Sequence, residues 1–115
     1  MNTVMCDGKG DDPIPQLDNM TGELNRQCLG PCVQAHEMNH IKDLLRIGKA
    51  PCRGKPKGTI VTFDTPGQVR KSERDSYNVE IDCLFKLIGS ASSCACNTII
   101  ETRIKQLFNE RKRYE

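Results

Sequence analysis

The only two histidines of the chain, His36 and His40, stand four residues apart with Glu37 between them, in the stretch CVQAHEMNHIKDLLRI from Cys32 to Ile47. On a helix, residues at that spacing lie one above the other on one face, so two imidazoles can point at one metal ion. The acid beside the first histidine then reaches a water on that ion, which makes H-E-x-x-H a pattern for zinc-dependent hydrolysis. Three fixed positions in so short a chain arise by chance on the order of a few times in a thousand. What the pattern still needs is a third ligand.

The elements that must position these residues can be read from the same stretch outward. Gly30-Pro31 resets the chain after a short helical turn from Thr21 to Cys28, and Pro31 suits the first position of a main helix that Gly48 closes. Along this helix Val33, His36, Glu37, His40, Ile41, Leu44 and Leu45 share a face, while Gln34, Asn39 and Lys42 lie opposite. The helix that carries the motif is therefore also a core helix.

Thr65-Pro66-Gly67-Gln68 is a capping box with proline at the first helical position, so a long helix is expected from Pro66 to about Ile88, ended by Gly89. Steps of four and three from Val69 give Val69, Glu73, Ser76, Glu80, Cys83 and Leu87, an inward stripe with two carboxylates in its middle. Burying an acid there costs several kcal/mol unless it is paired or bound to metal. Glu73 and Glu80 are thus both candidates to face the motif helix and its cation. The competing stripe, Tyr77, Ile81, Leu84 and Ile88, would leave both acids near solvent.

The rest is organised more simply. Residues 1 to 20, with Gly8, Gly10, Pro13 and Pro15 among acids, read as a loop segment preceding a single domain from 21 to 115. Thr59-Ile60-Val61-Thr62-Phe63 is the one good strand candidate; it either pairs with the N-terminal segment or presents an edge on which an extended substrate can add a strand. Residues 90 to 97 form a small-residue turn, and the capping box Thr98-x-x-Glu101 starts a last helix with Ile100, Ile104, Leu107 and Phe108 inward. The fold class expected is mainly α with a minor β part.

With 115 residues and 4% aromatics, the core alone gives modest stability. Seven cysteines, at 6, 28, 32, 52, 83, 94 and 96, supply the brace as disulfides and point to an oxidising destination. A cysteine zinc module would want paired C-x2-C knuckles, and the chain has only Cys28-x3-Cys32 and Cys94-x-Cys96. The pairings expected are Cys32 with Cys52, Cys83 with Cys94 or Cys96, and Cys6 with Cys28, one cysteine being left over. A net charge of +2 is too small to argue for nucleic acid, and the cluster Arg111, Lys112, Arg113 is a helix end satisfying its dipole. No apolar run approaches the roughly 20 residues of a membrane span. The first residues lack the layout of a signal peptide, so a larger carrier, or a mature fragment given a start methionine, is the expected route to that destination.

HEMNH on one helix followed by Glu73-Arg74-Asp75-Ser76-Tyr77 on a second resembles the gluzincin metallopeptidases, in which a downstream glutamate precedes a small residue by three positions. Ser76 takes the small position; Tyr77 departs from the Asp or Asn that follows it in many of them. The wider layout is similar to small metallopeptidase toxin domains at the C-termini of rearrangement-hotspot and type VI secretion-associated polymorphic toxins, over roughly residues 28 to 113. The resemblance implies a compact zincin-like helical domain, with Zn2+ held by His36, His40 and Glu73 and a water in the fourth position. It implies Glu37 as general base and then general acid. Glu80, two turns along the same face from Glu73, is the alternate ligand or an acceptor for a histidine N–H, and Tyr77, one turn from Glu73, is either a donor to the developing oxyanion or a buried tyrosine that holds the core. Asp43, three residues after His40, is either an orienting acceptor for an imidazole or a solvated acid. The expected substrate is a protein or a peptidoglycan peptide, the expected partners a secretion-apparatus carrier and a cognate immunity protein, and the place of action the target-cell envelope or periplasm.

Two other classes stand beside this one. A non-catalytic disulfide-stapled binding or inhibitor module would make His36 and His40 incidental, and a structural zinc protein would use its cysteines. Neither gives a reason for Glu73 and Glu80 to share an inward stripe opposite H-E-x-x-H.

Overall fold

The structure, a computed structural model, describes residues 3–10, 12–16, 22–46, 52–90 and 94–115. It is mainly helical: α1 (Glu23–Arg46), α2 (Pro66–Ser90) and α3 (Cys94–Arg111) pack on one another, a 3-10 turn (Lys112–Tyr114) follows, and a hairpin of β1 (Thr3–Met5) and β2 (Ile14–Gln16) lies against α1. None of the described helices is long and apolar enough to cross a membrane.

The main helix starts earlier than Pro31. α1 runs without a break through Gly30 and Pro31, so the expected short turn and reset are one 24-residue helix. Proline removes one backbone donor from a helix interior. Here Cys28 and Cys32, on either side of Pro31, are both tied to other helices, and that tertiary restraint overrides the local break. Gly48, expected to end this helix, lies outside the described residues.

α2 begins as its capping box requires. The Gln68 N–H donates to Thr65 Oγ1 at 3.2 Å, and Gln68 Oε1 accepts from the Thr65 N–H at 3.2 Å and the Asp64 N–H at 3.1 Å. α3 begins at Cys94 rather than Thr98, whose carbonyl already accepts from the Thr102 hydroxyl inside the helix at 3.0 Å. The cysteine-bearing turn is thus partly the first turn of α3.

The N-terminal segment is a hairpin, not a loop. Val4 pairs with Pro15, and residues 58–61 join as a third strand-like layer: Cys6 N–H donates to Thr59 O and Val61 N–H to Val4 O, both at 2.9 Å. The 59–63 segment therefore takes the first of its two expected roles, pairing with the N-terminus. Gly58, at a φ of 91°, turns the chain into that pairing.

Two cores result. Cys32, Ile81, Leu84, Ile100, Ile104 and Leu107 fill the space between the three helices. Val4, Ile41 and Leu44, with Val61 and Phe63, fill the space between α1 and the hairpin layer. The motif sits on α1 between them. Leu45, Val69 and Phe108, expected inward, are each more than a third exposed. On α2 both candidate stripes contribute, because the helix is flanked by α1 and α3: Ile81 and Leu84 pack inward, yet Glu80 is fully buried with them.

Three disulfides brace this arrangement: Cys6–Cys52, Cys28–Cys96 and Cys32–Cys83. None matches the expected pairings. Cys28 and Cys32 are one turn apart on one helix face, so both meet neighbouring helices, which leaves Cys52 to pin its loop to the hairpin through Cys6. The side chain of Cys94 lies outside the described set. Three disulfides belong to an oxidising, secreted or extracellular environment.

Candidate metal centre

Where α1 and α2 face each other beside His40, α2 offers two small residues. Ser72 and Ser76 are buried, and so are His36, Glu37, His40 and Asp43 across from them. Two serines in place of larger side chains bring the helices close enough for short side chains to bond across the gap.

His40 is held at both nitrogens. Its Nδ1 lies 2.8 Å from Ser72 Oγ, and the Ser72 hydroxyl gives its single proton to Asp43 Oδ2 at 2.7 Å. Ser72 must therefore accept from His40, which puts a proton on Nδ1 and makes Nε2 the nitrogen that faces Glu73. Ser76 Oγ stands 3.3 Å from the same nitrogen and receives a hydrogen bond from Asn39 Nδ2 at 3.0 Å. Asp43 also pairs with Arg46. The expected choice between an orienting and a solvated Asp43 falls to the first: it is buried and acts on His40 through Ser72.

His36 is set in the same tautomer by a different acceptor. Its Nδ1 donates to Glu80 Oε1 at 2.9 Å, and Arg103 of α3 holds that carboxylate through Nε on Oε2 at 2.8 Å and Nη2 on Oε1 at 3.4 Å. Glu80 is thus the acceptor for a histidine N–H. The remaining carboxylate, Glu73, brings Oε1 to 2.5 Å from His40 Nε2.

His36, His40 and Glu73 offer ligand atoms that all lie within 4.8 Å of one another. Tetrahedral zinc, with bonds of about 2.0–2.1 Å, needs its ligand atoms roughly 3.4 Å apart, so the cluster matches with small side-chain adjustments. The donor chemistry allows it. With Nδ1 committed to Ser72, His40 Nε2 faces Glu73 Oε1, and either a proton on Nε2 or a metal ion bound by both satisfies that pair.

The electrostatics separate the three glutamates. Burial raises the carboxyl of Glu37 above its ordinary range, although His36 and His40 pull the other way. Burial also opposes the charge of Glu73, but the His40 hydrogen bond and the two histidines outweigh it and leave its carboxyl lowered. Glu80 behaves likewise: burial is outweighed by hydrogen bonds from His36 and Arg103 and by their charge. One acid is poised to take up a proton, and two are held as anions.

These groups open on a cavity of about 850 Å³, large enough for a small peptide segment. Val61 to Phe63 line it, and so do Arg103, Gln106 and Tyr114 of the C-terminal region. The Tyr77 ring meets His36 edge-on at 4.8 Å between centroids and stacks on Tyr114 at 5.8 Å. Burial pushes its hydroxyl up, so it stays protonated as a donor.

His36, Glu37, His40, Glu73, Glu80, Tyr77 and Asp43, all singled out from the sequence, are brought together here. Ser72, Arg103 and Tyr114 were missed. Ser72 and Ser76, four apart, were one available signal; Arg103, a cation between Ile100 and Ile104 on an apolar face, was another. Compared with protein-family models, curated proteins and solved structures, the chain matches none.

Proposed function

We propose that this domain is a zinc-dependent hydrolase that cleaves an amide bond in a protein or a peptidoglycan peptide. The observation that carries the reading is the convergence of His36, His40 and Glu73 beside a buried Glu37, with both histidine Nδ1 atoms committed to Glu80 and Ser72. Such support of ligating histidines by acceptors behind them is a property of built metal sites.

His36, His40 and Glu73 would hold the zinc. When bound, the ion polarises a carbonyl and lowers the pKa of a water towards neutrality. Glu37 takes the proton from the attacking water and passes it to the leaving amine, a role its raised pKa suits. Tyr77 offers its hydroxyl to the oxygen that gains charge. Ser72 with Asp43, and Glu80 with Arg103, keep the two imidazoles in the tautomer and orientation that ligation requires.

The same reading makes the domain a secreted antibacterial effector delivered by a carrier to the target-cell envelope, with an immunity protein as cognate partner. Its support is the resemblance of residues 28 to 113 to polymorphic-toxin metallopeptidases and a fold braced by three disulfides. The test is Glu37→Gln assayed on unfolded protein and on peptidoglycan stem peptides. The variant is expected to keep its zinc while cleavage falls roughly 10²- to 10⁴-fold. A zinc-loaded Glu37→Gln that cleaves as fast as wild type rules the mechanism out.

A further inference from the structure

Arg103 is tied to Glu80 by two contacts, and these use only part of its guanidinium. Nε–H and one Nη2–H go to Glu80; the remaining N–H groups have no partner among the described residues. The side chain is 29% exposed, and it lines the same cavity as the metal cluster. Glu80, itself fully buried, fixes the plane of the fork in advance.

The other cation on that wall is differently placed. Arg113 lies at the mouth, largely exposed, and is paired with Glu110 at 3.2 Å. Between Arg103 and Arg113 the cavity lining adds the amide of Gln106 and the carboxylate of Glu110, and the charge of Glu110 is answered by Arg113 rather than by Arg103. A carboxylate, with two acceptor oxygens and no proton to give, is the group that fits a pre-set guanidinium fork.

We propose that Arg103 is the receptor for a substrate carboxylate, so that the site takes peptides with a free carboxyl group close to the bond that is cut. The inference rests on the hydrolase reading above. One carboxylate and one imidazole ring separate the guanidinium from the metal-facing Nε2 of His36. That is the reach of about two residues of extended peptide, so the acid belongs to the residue released or to its neighbour. Release of a C-terminal residue, or cleavage beside an acidic residue of a stem peptide, satisfies this; cleavage deep within a neutral segment does not.

The experiment uses the zinc-loaded full chain and N-acetyl dipeptides in pairs that differ only in a free or amidated C-terminal carboxyl. Binding is followed by NMR titration, and cleavage of matching longer peptides is followed in parallel. The acid is expected to bind roughly 10- to 100-fold tighter than its amide, the range of a charge-assisted pair. Arg103→Gln should abolish that preference, Arg103→Lys should keep part of it, and Arg113→Gln should leave it intact. The wild-type comparison stands even if Arg103→Gln folds poorly. Equal binding of acid and amide, no binding of either, or a preference that survives Arg103→Gln overturns the proposal while a zinc-loaded hydrolase remains. A chain that takes up no zinc overturns both.

Discussion

Removing the Cys32–Cys83 disulfide should separate the stability of the fold from the assembly of the site. Cys32 is one helical turn before His36 and Cys83 one turn after Glu80, so this bond clamps α1 to α2 beside the His36–Glu80 contact. Its sequence separation is 51, but the Cys28–Cys96 bond already encloses it. With that bond intact, the loop that Cys32–Cys83 closes is effectively the path through residues 28–32 and 83–96, about 17 residues, which corresponds to about 3 kcal/mol of chain entropy. Cys6–Cys52, with a separation of 46 and no such enclosure, corresponds to about 4 kcal/mol. At about 4 °C per kcal/mol for a chain of this size, the double alanine variants should melt about 12 and 16 °C lower, respectively. Zinc affinity should run in the opposite order. The Cys32→Ala/Cys83→Ala protein should lose roughly 10- to 100-fold, as expected when an acceptor behind a ligating histidine is displaced. The Cys6→Ala/Cys52→Ala protein should stay close to wild type. Urea unfolding and zinc titration against a chromophoric chelator, both well below the melting range, read the two quantities. Equal zinc affinities in the two variants would refute the claim that the Cys32–Cys83 bond positions the site.

Three further outcomes follow from the same contacts. Ser72→Ala removes the link between His40 and Asp43, and zinc affinity should fall roughly 10- to 100-fold in the same titration with little change in helix content by circular dichroism. Glu80→Ala leaves Arg103 and His36 without their acceptor in a buried position, and urea unfolding should show a loss of about 3–5 kcal/mol. Zinc at about 100 times its dissociation constant should stabilise the wild-type chain by about 2.7 kcal/mol and raise its melting temperature by about 11 °C, a shift that a chelator reverses.

The parts of the fold legible in the sequence were those with a local cause. The Thr65 to Gln68 capping box and the H-E-x-x-H spacing each act within one helix, and both are present as read. Pro31 is the opposite case: its local preference to start a helix loses to disulfides at Cys28 and Cys32, whose partners lie on other helices. The strands of the hairpin are three residues each, too short for periodicity to register, and exist because they pair with each other and with residues 58–61. Disulfide connectivity depends on which helix faces which, so no spacing rule could supply it. In the site, Glu73 and Glu80 followed from a stripe on one helix. Ser72 and Arg103 emerge only once α2 and α3 are packed against α1, because each acts through a partner on another element.

The central claim is that His36, His40 and Glu73 form one zinc site, and elemental analysis tests it most directly. Wild type and Glu73→Ala would be purified without added metal, reconstituted with zinc, and freed of excess. The account predicts one zinc per chain in wild type and loss of that zinc in Glu73→Ala. A wild-type chain that retains no zinc after reconstitution, or a Glu73→Ala chain that retains as much as wild type, would contradict it.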